Sequence, residues 1–333
     1  MPNQQNYTSN QKAQPLVTFI ITYYNLPVQM LCECINSILA LSLCYSEREI
    51  IVVDDGSDVS PINGLMQYGD DIIYVRQKNG GVSVARNTAM QMARGRYIQI
   101  VDGDDYLIKT PYEHCLDLIR NNNNLDMVLF DFTKSEEKPS STYQDSTIMT
   151  GSEYMRKNNI QGAVWCTLFR QAVRSQLQFT SGIQYAEDEE FTPQMLLRAE
   201  AIIVSSAKAY YYRPRSTSAI HQISESSKKK RLDDTLEVIE NLRQLADTVP
   251  TTDRLALQRR VAQLTMDYIY NTIVITHSRK ILDERLGILR QKGLFPLPDK
   301  DYSKKYTWFR RMSSTYIGRT ILLNTLPFIK RER

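Results

Sequence analysis

The sequence predicts an α/β protein with a mostly parallel central sheet flanked by helices, followed by a helical C-terminal region. Three observations carry this. Short apolar runs rich in β-branched residues recur, as strands buried on both faces require: LVTFIIT (16–22), EIIVV (49–53), IIYV (72–75) and RYIQIV (96–101). Segments with helical spacing lie between them, which makes the connections crossovers and the strands parallel. From about residue 224 the strand-like runs stop and long helical stripes begin.

The first 14 residues, MPNQQNYTSNQKAQ, are polar and read as a disordered lead-in without the apolar centre of a signal peptide. The first strand is followed by Pro27, which suits the first turn of a helix, and by Leu31, Ile35, Ile38 and Leu39 at helical spacing. The second strand ends in DDGSD (54–58). After the third, GGVSVARNTAMQMARG (80–95) predicts a helix that opens on glycines and is capped by Gly95. The fourth strand delivers VDGDDYL (101–107) at its carboxyl end. A helix over about 111–121 and a strand over LDMVLF (125–130) continue the alternation.

In the C-terminal region, KKKR (228–231) precedes a stripe of Leu232, Leu236, Ile239, Leu242 and Leu245. Pro250 interrupts, TTD (251–253) caps a second helix, and a third over 281–292 is stopped by Gly293 and Pro296. The expected organisation is a lead-in (1–14), an α/β domain (15–222) and a helical region (223–333).

Bulk properties narrow the function. The 333 residues are 42% hydrophobic and 23% charged, an ordinary globular balance. Five cysteines without CxxC spacing and three scattered histidines argue against a zinc site or disulfide framework. No window approaches the ~20 apolar residues of a membrane span, so the expectation is a cytoplasmic protein. The net charge is +4, yet residues 302–333 hold eight Lys and Arg against Glu332. The basic character lies in the tail, which points to an acidic partner there and away from nucleic acid binding by the body. Interleaved with those charges, Trp308, Phe309, Tyr316, Ile317, Ile321, Leu322 and Leu323 form either an amphipathic surface for an anionic membrane or a helix docked on the body.

Polar clusters at three strand ends, TYYN (22–25), DDGSD and DGDD (102–105), converge on one rim, because ligands of open α/β sheets bind outside the carboxyl ends of the strands. Asp102 and Asp104, two positions apart, can share a divalent cation; Mg²⁺ or Mn²⁺ prefers oxygen ligands and is commonly completed by substrate phosphates. The alternative is a turn whose Asp side chains bond their own backbone. A strand-end Asp in DDGSD can accept from a base N–H or ribose hydroxyls. Gly80 and Gly81 offer N–H groups to a phosphate, with Arg86 one turn further in.

TYYN, VVDDGSD, NGGVSVARN and VDGDDYL, in this order, resemble the ordered motifs of the inverting family 2 glycosyltransferases of bacterial surface-polysaccharide type, over about residues 16–220. The resemblance implies the GT-A fold, with a nucleotide-sugar half (15–105) and an acceptor half (106–222). It implies a nucleotide-diphosphate sugar donor, usually carrying uridine or thymidine, a divalent Mn²⁺ or Mg²⁺ held by a DxD motif, and a glycan or lipid-linked acceptor; a lipid-linked acceptor would suit contact of the basic tail with the inner face of the membrane. By position, Thr22 and Tyr24 match residues near the base, Asp55 the Asp that contacts it, Arg86 the basic residue near the nucleotide, Asp102 the first DxD Asp and Asp104 the metal ligand. YAEDEEFTPQML (185–196) is similar to the family's ED motif, with Asp188 as catalytic base and Glu187 beside it. Trp165 falls where an aromatic lines the acceptor side, and His221 where some relatives hold a metal-ligating His. A hydroxyl acceptor does need such a base, since its own pKa lies far above 7. Two other readings are a phosphohydrolase with an Asp nucleophile, which would place its DxD on the first strand, and a catalytically silent binding module of the same fold.

Overall fold

The computed structural model describes residues 14–136, 140–215 and 224–328. One eight-stranded sheet runs through the α/β part in the order β3-β2-β1-β4-β7-β6-β8-β5. Its strands are β1 (Val17–Tyr23), β2 (Arg48–Asp54), β3 (Ile73–Arg76), β4 (Tyr97–Asp102), β5 (Tyr106–Leu107), β6 (Met127–Thr133), β7 (Thr167–Arg170) and β8 (Ile202–Tyr211). The four strands read from apolar runs form the parallel half, β3-β2-β1-β4. β7 pairs antiparallel with both β4 and β6 and joins the two halves. In register, Thr22 lies opposite Asp102, and Tyr23 opposite Asp54. The polar strand ends are therefore side by side.

Helices α1 (Val28–Leu39), α2 (Ile62–Leu65), α3 (Val82–Met92), α4 (Lys109–Asn121), α5 (Gly151–Lys157), α6 (Gln171–Arg174) and α7 (Glu187–Leu197) connect the strands. Successive residues of β1 feed opposite faces, as the two-residue period of a strand demands. Ile20 packs with Ile51, Ile98 and α3, whereas Phe19 and Ile21 pack with α1 and α4. Two details differ from expectation. Pro27 is the N-cap residue of α1 and precedes its first turn. Gly95 is not the cap of α3, which ends at Met92 with Ala93 as C-cap. Gly95 is needed for close approach instead: a Cβ there would meet the Thr18 amide nitrogen at 2.4 Å, and its own N–H donates to Thr18 Oγ1 at 2.8 Å.

The C-terminal region is α8 (Glu225–Thr248), α9 (Thr251–Thr276), α10 (Arg279–Gln291), α11 (Lys304–Ser314) and α12 (Tyr316–Thr325). Its apolar stripes share one core with α3 and α7. The tail is docked on the body in part. Tyr306, Phe309 and Leu322 are buried against the body, while Trp308, Tyr316, Ile317 and Ile321 stay exposed. Among the described residues no helix is long and apolar enough to cross a membrane.

Polar contacts tie α7 and its approach to this helical region. Asp234 of α8, 1% exposed, accepts from the Gln184 and Tyr185 amides at 2.9 and 3.2 Å and from Lys230 at 2.6 Å. Asn241 donates to Glu190 at 2.9 Å. Buried Arg260 of α9 pairs with Glu189 and donates to the Ile160 carbonyl at 2.7 Å. An Asp234→Ala substitution strands two partly buried backbone donors, and a loss of about 1 kcal/mol is expected. Urea denaturation would register it as a lower midpoint with an unchanged slope.

Candidate active site

The site begins with one residue of α3. Arg86 is 2% exposed, because α3 packs on the sheet and carries this side chain inward with Ala85 and Ala89. Its guanidinium donates to Asp102 at 3.0 Å, to Glu187 at 3.0 Å and to Asp188 at 2.6 Å. It also lies 5.2 Å from the centroid of the Phe179 ring. One cation therefore gathers a carboxylate from the end of β4 and two from the first turn of α7. Ala186, in the left-handed region at φ 68°, turns the chain into that helix. Four acidic residues occupy the first turn of α7, where the helix dipole favours negative charge.

Three carboxylates around one guanidinium leave excess negative charge in a nearly dry place. Burial works against the charge on Arg86, but Asp188, Asp102 and Glu187 hold it firmly protonated. Burial lifts Asp188 above the usual carboxylate range; Arg86 opposes that, and Glu187 and Asp102 add to it. Glu187 is raised for the same first reason, again with Arg86 opposing.

The acidic turn itself is held from two sides. Gly103 donates its N–H to the Thr22 carbonyl at 3.1 Å, and a Cβ at 103 would meet that same oxygen at 2.7 Å. Asp105 is a structural member of the cluster: it is 3% exposed and accepts from Tyr210 Oη and from the Arg213 amide, both at 2.8 Å. Tyr210 Oη also accepts from the Asp102 amide at 3.1 Å, so β8 braces both ends of the turn. Burial, then Asp102 and Asp104, push the Asp105 carboxyl up to about 8. Asp104 is raised by burial and by Asp102, while its partner Arg215 lowers it. Asp102 thus acts electrostatically on both Asp104 and Asp188, which places the DxD carboxylates and the α7 carboxylates in one charge cluster.

Other predicted site residues fall around this cluster or away from it. Thr22 adjoins Asp102 through the β1–β4 register. Tyr24 is 49% exposed at the rim. Asp55 is engaged as a brace: it accepts from Gln77 at 2.7 Å, Asn79 at 3.2 Å, and the Gly80 and Gly81 amides at 2.9 and 2.8 Å. That corrects the reading of those two amides as phosphate donors, since Asp55 already accepts a hydrogen bond from each. Trp165 packs in an aromatic wall with Tyr210, Tyr212 and Phe132, at centroid separations of 4.6, 5.6 and 5.0 Å. His221 lies outside the described residues. Sequence reasoning assigned no role to Asp105, although it stands in DGDD, and missed Tyr210, Arg213 and Arg215, whose signal was YYYRPR (210–215), a strand end bearing two arginines around a proline.

Among the described residues no group of three His, Cys, Asp or Glu side chains is arranged to hold a metal ion. The residues nonetheless fit a divalent cation completed by a ligand's own oxygens. Asp102 and Asp104 are hard oxygen donors that repel each other in a mostly buried turn, and a diphosphate would supply the remaining positions.

A doubly wound sheet with acidic residues gathered at its strand ends, and a helical extension packed on one face, defines the GT-A class of fold. Residues 18–176 match the family model described as glycosyl transferase family 2. It is 31% identical over 220 residues to the uncharacterized glycosyltransferase EpsJ of Bacillus subtilis, covering 61% of this chain and 62% of that relative's length. Its fold is similar to that of S. aureus TarS 1–349 in complex with UDP-GlcNAc, with a TM-score of 0.62 at 18% identity, covering 94% of this chain and 90% of that one. It is also similar to the mannosyltransferase PcManGT from Pyrobaculum calidifontis in complex with GDP-Man and Mn²⁺, with a TM-score of 0.55 at 14% identity, covering 96% and 88%.

The raised carboxyls set a direction for stability against pH. An unfolded Asp titrates near ~3.9, whereas Asp105 in the fold keeps its proton up to about 8. Between those values the folded chain binds more protons than the unfolded one, so stability falls as pH rises. Urea midpoints taken across this window should decline in the wild type and decline less in Asp105→Asn.

Proposed function

We infer that the protein transfers a sugar, with inversion, from a nucleotide-diphosphate donor, taken to be a UDP-sugar, to a hydroxyl of a glycan or lipid-linked acceptor. The observation that carries this is the shared Arg86. It joins Asp102, a residue of the donor motif, to Asp188, a carboxylate raised toward neutrality, within hydrogen-bonding distance. A base poised in that range suits proton abstraction from an alcohol.

Asp188 accepts the proton of the acceptor hydroxyl as that oxygen forms its bond to the anomeric carbon. The bond from that carbon to the diphosphate breaks on the opposite face, and the diphosphate leaves with the electron pair. Attack opposite the leaving group inverts the centre. Arg86 holds Asp188 in place, and Glu187 shares that clamp. Thr22, Tyr24 and the turn braced by Asp55 border the nucleotide. Trp165, with Tyr210 and Tyr212, presents an aromatic wall on the acceptor side. A Mn²⁺ or Mg²⁺ ion, when bound, offsets the charge building on the diphosphate, and Asp104 with Asp102 would hold it. The GDP-Man and Mn²⁺ named with PcManGT, and the UDP-GlcNAc named with TarS, support a nucleotide-sugar and cation of this kind.

The exposed side chains of α11 and α12 support peripheral contact with an anionic bilayer. Trp308, Ile317 and Ile321 are exposed beside Lys304 and Arg311, in a stretch almost free of acidic residues. Such a surface combines apolar insertion with attraction to acidic headgroups.

Three outcomes test the proposal. Asp188→Asn should keep donor binding by calorimetry yet lose transfer by about 10²–10⁴-fold; near wild-type transfer would remove Asp188 as the base. Asp104→Ala should abolish the Mn²⁺-dependent part of UDP binding, leaving any metal-free part. The full chain should sediment with vesicles containing phosphatidylglycerol and not with pure phosphatidylcholine, and Ile317→Asp with Ile321→Asp should release it. Equal partition onto both lipids would reject the charge argument.

A further inference from the structure

The segment leaving β8 lays two arginines over the acidic turn, and they do different things. Arg213 is locked in place. Its Nε donates to the Asp104 carbonyl at 2.8 Å, its amide to Asp105, and its guanidinium to Glu33 at 2.5 Å. Arg215 has a single ion-pair partner among the described residues, the Asp104 carboxylate at 2.5 Å. Its Nε is buried with no hydrogen-bond partner among them. Both side chains of the pair are only 18% exposed, so solvent screens the contact poorly.

Asp104 is the carboxylate assigned above to the divalent cation. One carboxylate cannot keep a guanidinium and a divalent cation in contact without repulsion between the two positive groups. A guanidinium set free beside a diphosphate has an evident partner, since its planar fork matches phosphate oxygens in bidentate fashion. We propose that Arg215 is the internal competitor of the cation at Asp104: it holds that carboxylate until cation and diphosphate arrive together, then transfers to the diphosphate. The exchange is balanced in charge. The carboxylate trades one cation for another, and the diphosphate gains the guanidinium that the carboxylate gave up.

It follows that the cation alone binds weakly, and that cation and diphosphate each strengthen the other. The inference rests on the glycosyltransferase reading in taking Asp104 as a cation ligand and a diphosphate as what arrives with the cation. Calorimetry of the full chain with MnCl₂ alone, UDP alone and both together tests it, in the wild type, Arg215→Gln, Arg215→Lys and Arg215→Gln with Asp104→Asn. Arg215→Gln should bind Mn²⁺ alone at least tenfold more tightly than the wild type. The gain in UDP affinity on adding Mn²⁺ should shrink by a similar factor. Arg215→Lys should restore the weak binding of Mn²⁺ alone, and adding Asp104→Asn should cancel the increase. If UDP and Mn²⁺ bind cooperatively but Arg215→Gln matches the wild type in Mn²⁺ affinity, the competitor role is overturned while the proposed function stands. If no variant binds Mn²⁺ even with UDP present, the cation reading of Asp104 and the competitor role are both overturned.

Discussion

The site depends on one buried guanidinium. Among the described residues Arg86 is the sole positive group in contact with Asp102, Glu187 and Asp188, which come from β4 and from α7, elements far apart in the chain. A buried ion pair that loses one member costs about 3–5 kcal/mol, so neither half of the site is stable in its observed place without the other. Placement of Arg86 rests in turn on α3, whose opening turn is held by the Asp55 carboxylate through the amides of Gly80 and Gly81. The chain of cause runs from a turn after β2, through a helix start, to the charge balance around Asp188.

The helical C-terminal region enters the same chain of cause from the other side. α7 begins with Ala186 in the left-handed region, which a non-glycine residue adopts only where its surroundings impose it. Asp234 takes the two amides just before that residue, and Asn241 and Arg260 hold two of the acidic side chains just after it. These contacts explain why α8 and α9 share a core with the sheet face that carries α3. They act as the mounting of the helix that presents Asp188.

Much of this was legible in the sequence because it is local. Strands buried on both faces declare themselves as unbroken apolar runs, and DGDD and EDEE sit directly after or before periodic segments. What was hidden is what depends on distant pairing. Gly80 and Gly81 look like phosphate donors until the fold brings Asp55 against them. Asp105 reads as one more acidic residue of DGDD until Tyr210 and the Arg213 amide claim its oxygens. Asp234 and Arg260 sit in helices whose sequence shows only an apolar stripe, and nothing in the spacing says which carboxylate or amide they will meet. β7 is four residues long and antiparallel, too short and too mixed to stand out from a loop.

The glycine between the two DxD carboxylates sets a boundary for redesign. A side chain at position 103 would strike the Thr22 carbonyl, and the neighbouring strand cannot retreat, because it is paired on both sides. The separation between Asp102 and Asp104 is therefore a rigid dimension of the scaffold. A redesign of the sugar preference proposed above would keep this turn and vary instead the aromatic wall of Trp165 and Tyr212, whose packing partners would have to change with it.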